Sequence, residues 1–215
     1  MKQNGELQHD VEEAIKWEPL LNAAEIGVTA KDGVVTLFGT VDSYAKKLEA
    51  ETATRNISGV RGIIEKIDVH FGSVKFSDEE IVRDILKAFK WTLDIPHHDI
   101  KIQAESGWIT LTGEVSRNAQ REKAKTVVHH TAGVRGVTND ILVKSDSEDA
   151  VEKEAIRKAI HRNWSFDEAD VKVNVEGNKV TLKGTVHSLY QKNEAERIAW
   201  NAPGVWDVRN DLEVD

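Results

Sequence analysis

The sequence predicts an α+β protein made of three tandem α-β-β-α-β modules, each a three-stranded mixed sheet with two helices on one face. Three observations predict it. Residues 33–41 (GVVTLFGTV), 107–115 (GWITLTGEV) and 178–186 (NKVTLKGTV) are near copies. Their glycines, Gly39, Gly113 and Gly184, recur at offsets of 74 and 71 residues, and a fixed spacing of this kind marks a repeated structural unit. Around each copy the apolar period runs from helical to alternating and back to helical.

Each module opens on a helix. Val11, Ala14 and Ile15, then Ile81, Ile85, Ala88 and Phe89, then Ile156, Ala159 and Ile160 stand at helical spacing, which builds one apolar face. Strict alternation follows at Ile26, Val28 and Ala30, at Ile100, Ile102 and Ala104, and at Val171, Val173 and Val175. That is the pattern of a half-buried strand. A turn is predicted at Lys31-Asp32-Gly33, Ser106-Gly107 and Gly177-Asn178, residues that accept positive φ. The second strand carries Val35 and Leu37, Ile109 and Leu111, or Val180 and Leu182, so the two strands make a hairpin.

A second helix is predicted to start at Asp42-Ser43, Ser116 or Ser188, all good N-cap residues. Ala50, Ala53, Ala124, Ala195 and Ala199 let it sit close to the sheet. Gly59, Gly133 and Gly204, each followed by valine, are expected to end it in the left-handed conformation. The third strand reads Ile63, Glu65, Ile67 and Val69 in the first copy. The modules are therefore bounded at 7–71, 78–145 and 149–215. At about 65 residues, each is marginal alone. The short connectors GSVKFS and SDSE predict modules that touch.

Composition narrows the function classes. With 215 residues, 31% charged, three prolines and a net charge of −8, the chain is globular and lacks the basic face that nucleic-acid binding needs. No nucleic-acid partner is expected. It has no cysteine, which removes disulfides, thiolate nucleophiles and cysteine-held metals. No stretch approaches the ~18 apolar residues of a membrane span. The N-terminus has no apolar run of signal-peptide type. As written, a cytoplasmic location is expected, or a periplasmic one if a signal peptide has been removed.

The three stretches GVVTLFGTV with GVRGIIEKIDV, GWITLTGEV with GVRGVTNDILV, and GNKVTLKGTV with GVWDVRNDLEV resemble the BON domain family of bacterial osmotically inducible and nodulation proteins. The resemblance covers almost the whole chain, three times. It implies an α/β module without enzymatic activity. Family members are associated with the bacterial envelope, osmotic stress and phospholipid surfaces. They also occur attached to channels and secretins and, in one cytoplasmic case, as a potassium-binding protein. The shared glycines are read as backbone devices.

Candidate chemistry is sparse. His97-His98 and His129-His130 are adjacent pairs, and neighbours on a helix or strand point apart, so neither suits zinc. Glu12-Glu13, Asp78-Glu79-Glu80, Glu152 and Glu154 fall in first helical turns, where they complement the helix dipole. No phosphate loop, serine elbow or HExxH pattern occurs, so no catalytic residue, cofactor or metal is assigned.

The tryptophans carry more information. Trp17 and Trp91 share one repeat position, Trp164 is displaced from it by two residues, and Trp108 stands where the first copy has Val34. Trp200 lies in the third copy's second helix and Trp206 in its last loop. An indole is read first as core or a lid over core. The competing reading is an anchor at a membrane interface or partner.

The middle copy is the least acidic, with ten basic and ten acidic residues in 78–144. Lys87, Lys90 and Trp91 end its first helix and form the candidate contact with an anionic membrane or an envelope protein. Phe89, aligned with Ile15 and Ile160, is expected in the core. The functional expectation is a non-enzymatic stress- or envelope-associated protein binding anionic phospholipid or a membrane-associated partner. Its alternatives are a cytoplasmic small-ligand or potassium-binding protein and a holdase-like chaperone.

Overall fold

A computed structural model describes residues 2–21, 25–144, 151–162 and 171–214. The chain divides into two compact units. The larger comprises residues 1–40, 48–68 and 147–215, and the smaller comprises 41–47 and 69–146.

The element order repeats as the sequence predicts. The first module contains α1 (Asn4–Trp17), β1 (Ile26–Lys31), β2 (Val34–Val41), α2 (Tyr44–Arg55) and β3 (Gly62–Val69). The second contains α3 (Asp78–Trp91), β4 (Ile100–Glu105), β5 (Trp108–Val115), α4 (Asn118–His129) and β6 (Gly136–Val143). The third contains α5 (Lys153–His161), β7 (Val171–Glu176), β8 (Lys179–Val186), α6 (Leu189–Trp200) and β9 (Asp207–Val214). Each sheet has three strands in sequence order. The hairpin strands are antiparallel. β6 runs parallel to β5, and β9 parallel to β8. A parallel neighbour needs a crossover, and the second helix of the module supplies it.

One stripe of each helix meets one face of its sheet. In the second module Ile81, Ile85 and Phe89 of α3 and Ala124 and Val128 of α4 are buried, as are Ile109, Leu111 and Ile141 of the sheet. The third module repeats this with Ile156, Ile160, Val180, Leu182, Ala195, Ala199 and Leu212 in one cluster. Asn139 and Asn210 tie helix to sheet at equivalent positions. Their Nδ2 atoms donate to the Arg121 and Lys192 carbonyls at 3.1 and 2.8 Å.

Gly39 and Gly113 have φ of 141° and 133°. A Cβ at either would run into the carbonyl oxygen of the residue before the module's first strand, Glu25 or Asp99. Only glycine lets the two backbones approach this closely. Gly184 holds the same conformation, φ 128°.

The turns refine two sequence expectations. Gly59, Gly133 and Gly204, φ 92°, 87° and 79°, do not terminate the helices. They lie four residues beyond Arg55, His129 and Trp200. There they occupy the third position of a turn closed by Val60 N–H to Ile57 O, Val134 N–H to Thr131 O and Val205 N–H to Ala202 O. A type II turn places positive φ at that residue and favours proline before it. The third copy reads Ala-Pro-Gly-Val.

The second correction concerns Ser116, which is not an N-cap. The cap position of α4 is Arg117, and Gln120 Oε1 instead accepts from Ser116 N, Ser116 Oγ and Arg117 N. A side chain reaching back from inside the helix thus satisfies the entry donors. Ser188 caps α6 as expected, accepting from Gln191 N at 3.2 Å, and Ser43 accepts from Lys46 N at the start of α2.

The hairpin glycine predicts a contrast between substitutions. Gly113→Ala should destabilise the protein by about 1–3 kcal/mol through strain at positive φ and the Asp99 clash. Gly5→Ala meets nothing within 4 Å and should leave stability unchanged or raise it by up to about 1 kcal/mol. Urea unfolding of the two variants checks both.

Candidate functional site

The end of α3 follows from its apolar spacing. Ile81, Ile85 and Phe89 recur every fourth residue and face the core. At 100° per residue this leaves Lys87, Lys90 and Trp91 on the outward side. Both lysines are exposed, and Trp91 is 79% exposed. Leu93, immediately after the helix, is 81% exposed. Thr92 N–H donates to the Phe89 carbonyl and Thr92 Oγ1 to that of Ala88 at 2.8 Å, which fixes the helix end. Trp17, at the equivalent end of α1, is 80% exposed beside exposed Leu20.

Trp17 and Trp91 are therefore neither core nor lid, contrary to the first expectation for an indole. The core position is taken by the residue two places earlier, Ile15 or Phe89, both buried. Two residues on an α-helix turn the side chain about 200° away. Trp108 lies on the sheet face away from the helices, against Gly136, its cross-strand partner, and its Nε1 donates to Thr138 Oγ1 at 3.0 Å. Trp200 packs against the third module's core, and Trp206 is partly exposed. Trp164 lies outside the described residues.

A second feature sits within the smaller unit. A cleft of about 390 Å³ is lined by Asp42, Ser43 and Ala45, by Phe71, Val74 and Phe76, and by the end of α4 from His129 to Ala132. Its wall is aromatic. Phe71 and Phe76 meet edge to face at 5.3 Å, and the Arg135 guanidinium lies 5.7 Å from the Phe71 ring centre. Tyr44 meets His129 edge to face, also at 5.3 Å. In the sequence GSVKFS reads as a short connector between modules that touch. Its signal was Phe76, together with Phe71 just before it, because exposed linkers rarely carry large apolar side chains.

Burial pushes the His129 imidazole down to about 4, with Lys125 and His130 adding to the effect. Its Nε2 is buried without a hydrogen-bond partner. The His130 Nδ1 lies 2.8 Å from the Thr126 carbonyl. His97 and His98 occupy a turn rather than a helix or strand, and their rings come within 4.0 Å. Among the described residues no group of three or more His, Asp and Glu is placed to hold a metal. Glu80 belongs to helix entry. It accepts from Ser77 N and Oγ, which lowers its carboxyl below the usual range. The six shared glycines serve the turns and close approaches described above.

A BON domain family model matches residues 3–70, 77–145 and 148–215. The chain belongs to the BON domain family. Osmotically-inducible protein Y of Escherichia coli (strain K12) is 30% identical over 129 residues, which is 58% of this chain and 64% of that protein. The match thus spans less than two thirds of that relative. Among solved structures, CdsD, a structural protein of the type III secretion system of Chlamydia trachomatis, is similar at 16% identity. It covers 98% of this chain and 92% of that one with a TM-score of 0.27. The CdsD C-terminal domain is also 16% identical, covers all of both chains and has a TM-score of 0.25. Scores this low carry no weight for fold or function. No helix among the described residues of this BON protein is long and apolar enough to cross a membrane.

His129 gives a pH prediction. Its ordinary value, 6.5, describes the unfolded chain, and the folded value is about 4. Between these pH values the unfolded state binds the extra proton, so stability rises with pH. The stabilisation should be complete above about pH 6.5 and fall away as pH drops toward 4. Since His129 is only half buried, solvent screening keeps the effect modest. His129→Phe retains a ring against Tyr44 and should flatten the slope of melting temperature against pH across this window.

Proposed function

We propose that this BON protein is a non-enzymatic, stress- and envelope-associated binding protein that docks on anionic phospholipid through the end of α3. The observation that carries the reading is Trp91, 79% exposed at the helix end with Lys87 and Lys90 on the same outward side. Tryptophan is highly buried on average, so an indole this bare is unusual. Its apolar body and polar N–H suit the headgroup boundary, and the lysines supply attraction to anionic lipid at about 1 kcal/mol each. The contact uses side chains at the membrane surface and needs no spanning helix. Trp17 at the end of α1, with exposed Leu20 three residues on, repeats the aromatic half of the motif. The osmotic induction named for the Escherichia coli relative supports a stress role.

Flotation with zwitterionic and anionic liposomes, at low and moderate salt, tests this. The protein should bind only anionic liposomes, and salt should weaken binding. Lys87→Glu/Lys90→Glu should lower partitioning by roughly 30-fold or more, the equivalent of two lysines. Trp91→Ala should weaken binding while leaving its salt dependence intact. Both changes lie on exposed side chains, so circular dichroism should remain that of the parent. Unchanged binding in the lysine variant would remove the reading.

A further inference from the structure

Two contacts, one in each compact unit, use the same repeat positions on one side and neighbouring ones on the other. In the smaller unit, His129 ends α4 and meets Tyr44 in the first turn of α2. Six residues on, Arg135 lies over Phe71, two residues past the end of β3. In the larger unit, Arg55 is the repeat equivalent of His129 and ends α2. The Asn193 amide, set oxygen-first, accepts from its Nη1 and Nε at 3.0 and 3.3 Å. Asn193 lies on α6, one turn beyond the equivalent of Tyr44. Arg61, the equivalent of Arg135, donates from Nε to the Val214 carbonyl at 3.2 Å, at the end of β9.

Both contacts therefore join a helix end and the residue after the type II turn, on one side, to a helix start and the end of a third strand, on the other. The two sides differ, so the contact is heterologous, and such a contact always leaves one half of each kind over unless it closes.

The leftover halves can be named. In the smaller unit, the start of α4 and the end of β6 border a cleft of about 790 Å³ that includes Asp99, Lys101, Glu114, Ser116, Gln120 and Lys144. Ser116, Gln120 and Lys144 are the repeat equivalents of Asp42, Lys46 and His70. In the larger unit, the end of α6 is followed by exposed Asn201 and Pro203, and by Trp206, 42% exposed. Trp206 is the equivalent of Arg61 and Arg135.

We propose that these two halves bind each other between copies, so that a second copy of this chain docks head to tail, its Trp206 rim in the Ser116–Lys144 cleft. The rim chemistry fits. Arg135 sets a cation on an aromatic ring, whereas Trp206 would set a ring beside the Lys144 ammonium, which Glu114 holds at 2.6 Å in the cleft, the same attraction with the partners exchanged. Ala119 and Asn201 are the equivalents of Ala45 and His130, which line one cleft in the smaller unit. They are the pair expected to face each other across the copies.

The chain has no cysteine, so site-directed cross-linking reads this directly. Ala119→Cys and Asn201→Cys are made separately in the full chain, mixed and treated with a flexible bismaleimide. The expected result is a covalent dimer in the mixture and little in either variant alone. Adding Trp206→Asp to the Asn201→Cys chain should lower the yield roughly tenfold or more, as loss of a central tryptophan does at an interface, with circular dichroism unchanged. A chain carrying both cysteines should give a ladder of oligomers. No dimer in the mixture overturns the proposal. So does equal dimer in a single variant, which would mean a symmetric contact. One bismaleimide bridging both cysteines of a single monomer in the two-cysteine chain also overturns it, because the halves would then meet within one copy.

Discussion

One backbone hydrogen bond recurs in every module, and much of the architecture hangs on it. The N–H two residues after the type II turn glycine donates into the hairpin turn: Arg61 to Gly33 O at 2.8 Å, Arg135 to Gly107 O at 2.9 Å, and Trp206 to Asn178 O at 3.1 Å. It fastens the exit of the crossover helix to the hairpin tip, so the third strand enters beside the second in a fixed register. A slip of one residue would turn every core side chain outward, exposing Ile141 or Leu212. The turn glycine is needed because the chain must reverse by positive φ at this point. The Gly133 carbonyl then lies so near Gly107 that a Cβ there would come within 2.7 Å of it.

The same bond decides where the modules differ usefully. It holds residues 61, 135 and 206 at the rim, with side chains unconstrained by the core. Arginine, arginine and tryptophan occupy that place. The end of the crossover helix varies likewise, with Arg55, His129 and Trp200 at one repeat position. The core stays almost constant while the rim changes from copy to copy, as expected where packing tolerates little variation in volume and surface contacts tolerate much.

The exposed helix ends follow the same logic. An α-helix of this spacing commits Ile81, Ile85 and Phe89 to the sheet, so the next outward positions are free to carry function. Lys87, Lys90 and Trp91 stand at such positions, exposed and outside the core. The cleft beside His129 has a different origin. It depends on Phe76, which sits in the room left by the missing side chain of Gly133, and on Phe71, edge to face with Phe76.

The repeat, the order of elements, the hairpins and the buried stripe were legible in the sequence, because hydrophobic periodicity and glycine placement are local consequences of strand and helix geometry. Phe89 was assigned to the core on the same basis. The spacing of Ile81, Ile85 and Phe89 already turns Trp91 outward, but the bareness of Trp91 and Trp17 was not legible, since only the tertiary structure shows whether another element covers the ring. Nor was the role of Gly133 and its equivalents, which depends on how far each helix runs before its turn. The pairing of Tyr44 with His129 and of Arg61 with Val214 joins residues far apart in the chain, and no local pattern encodes such pairs. Sequence alone therefore determined what each module is. Tertiary structure decided which of its side chains remain available, because availability depends on what packs against them.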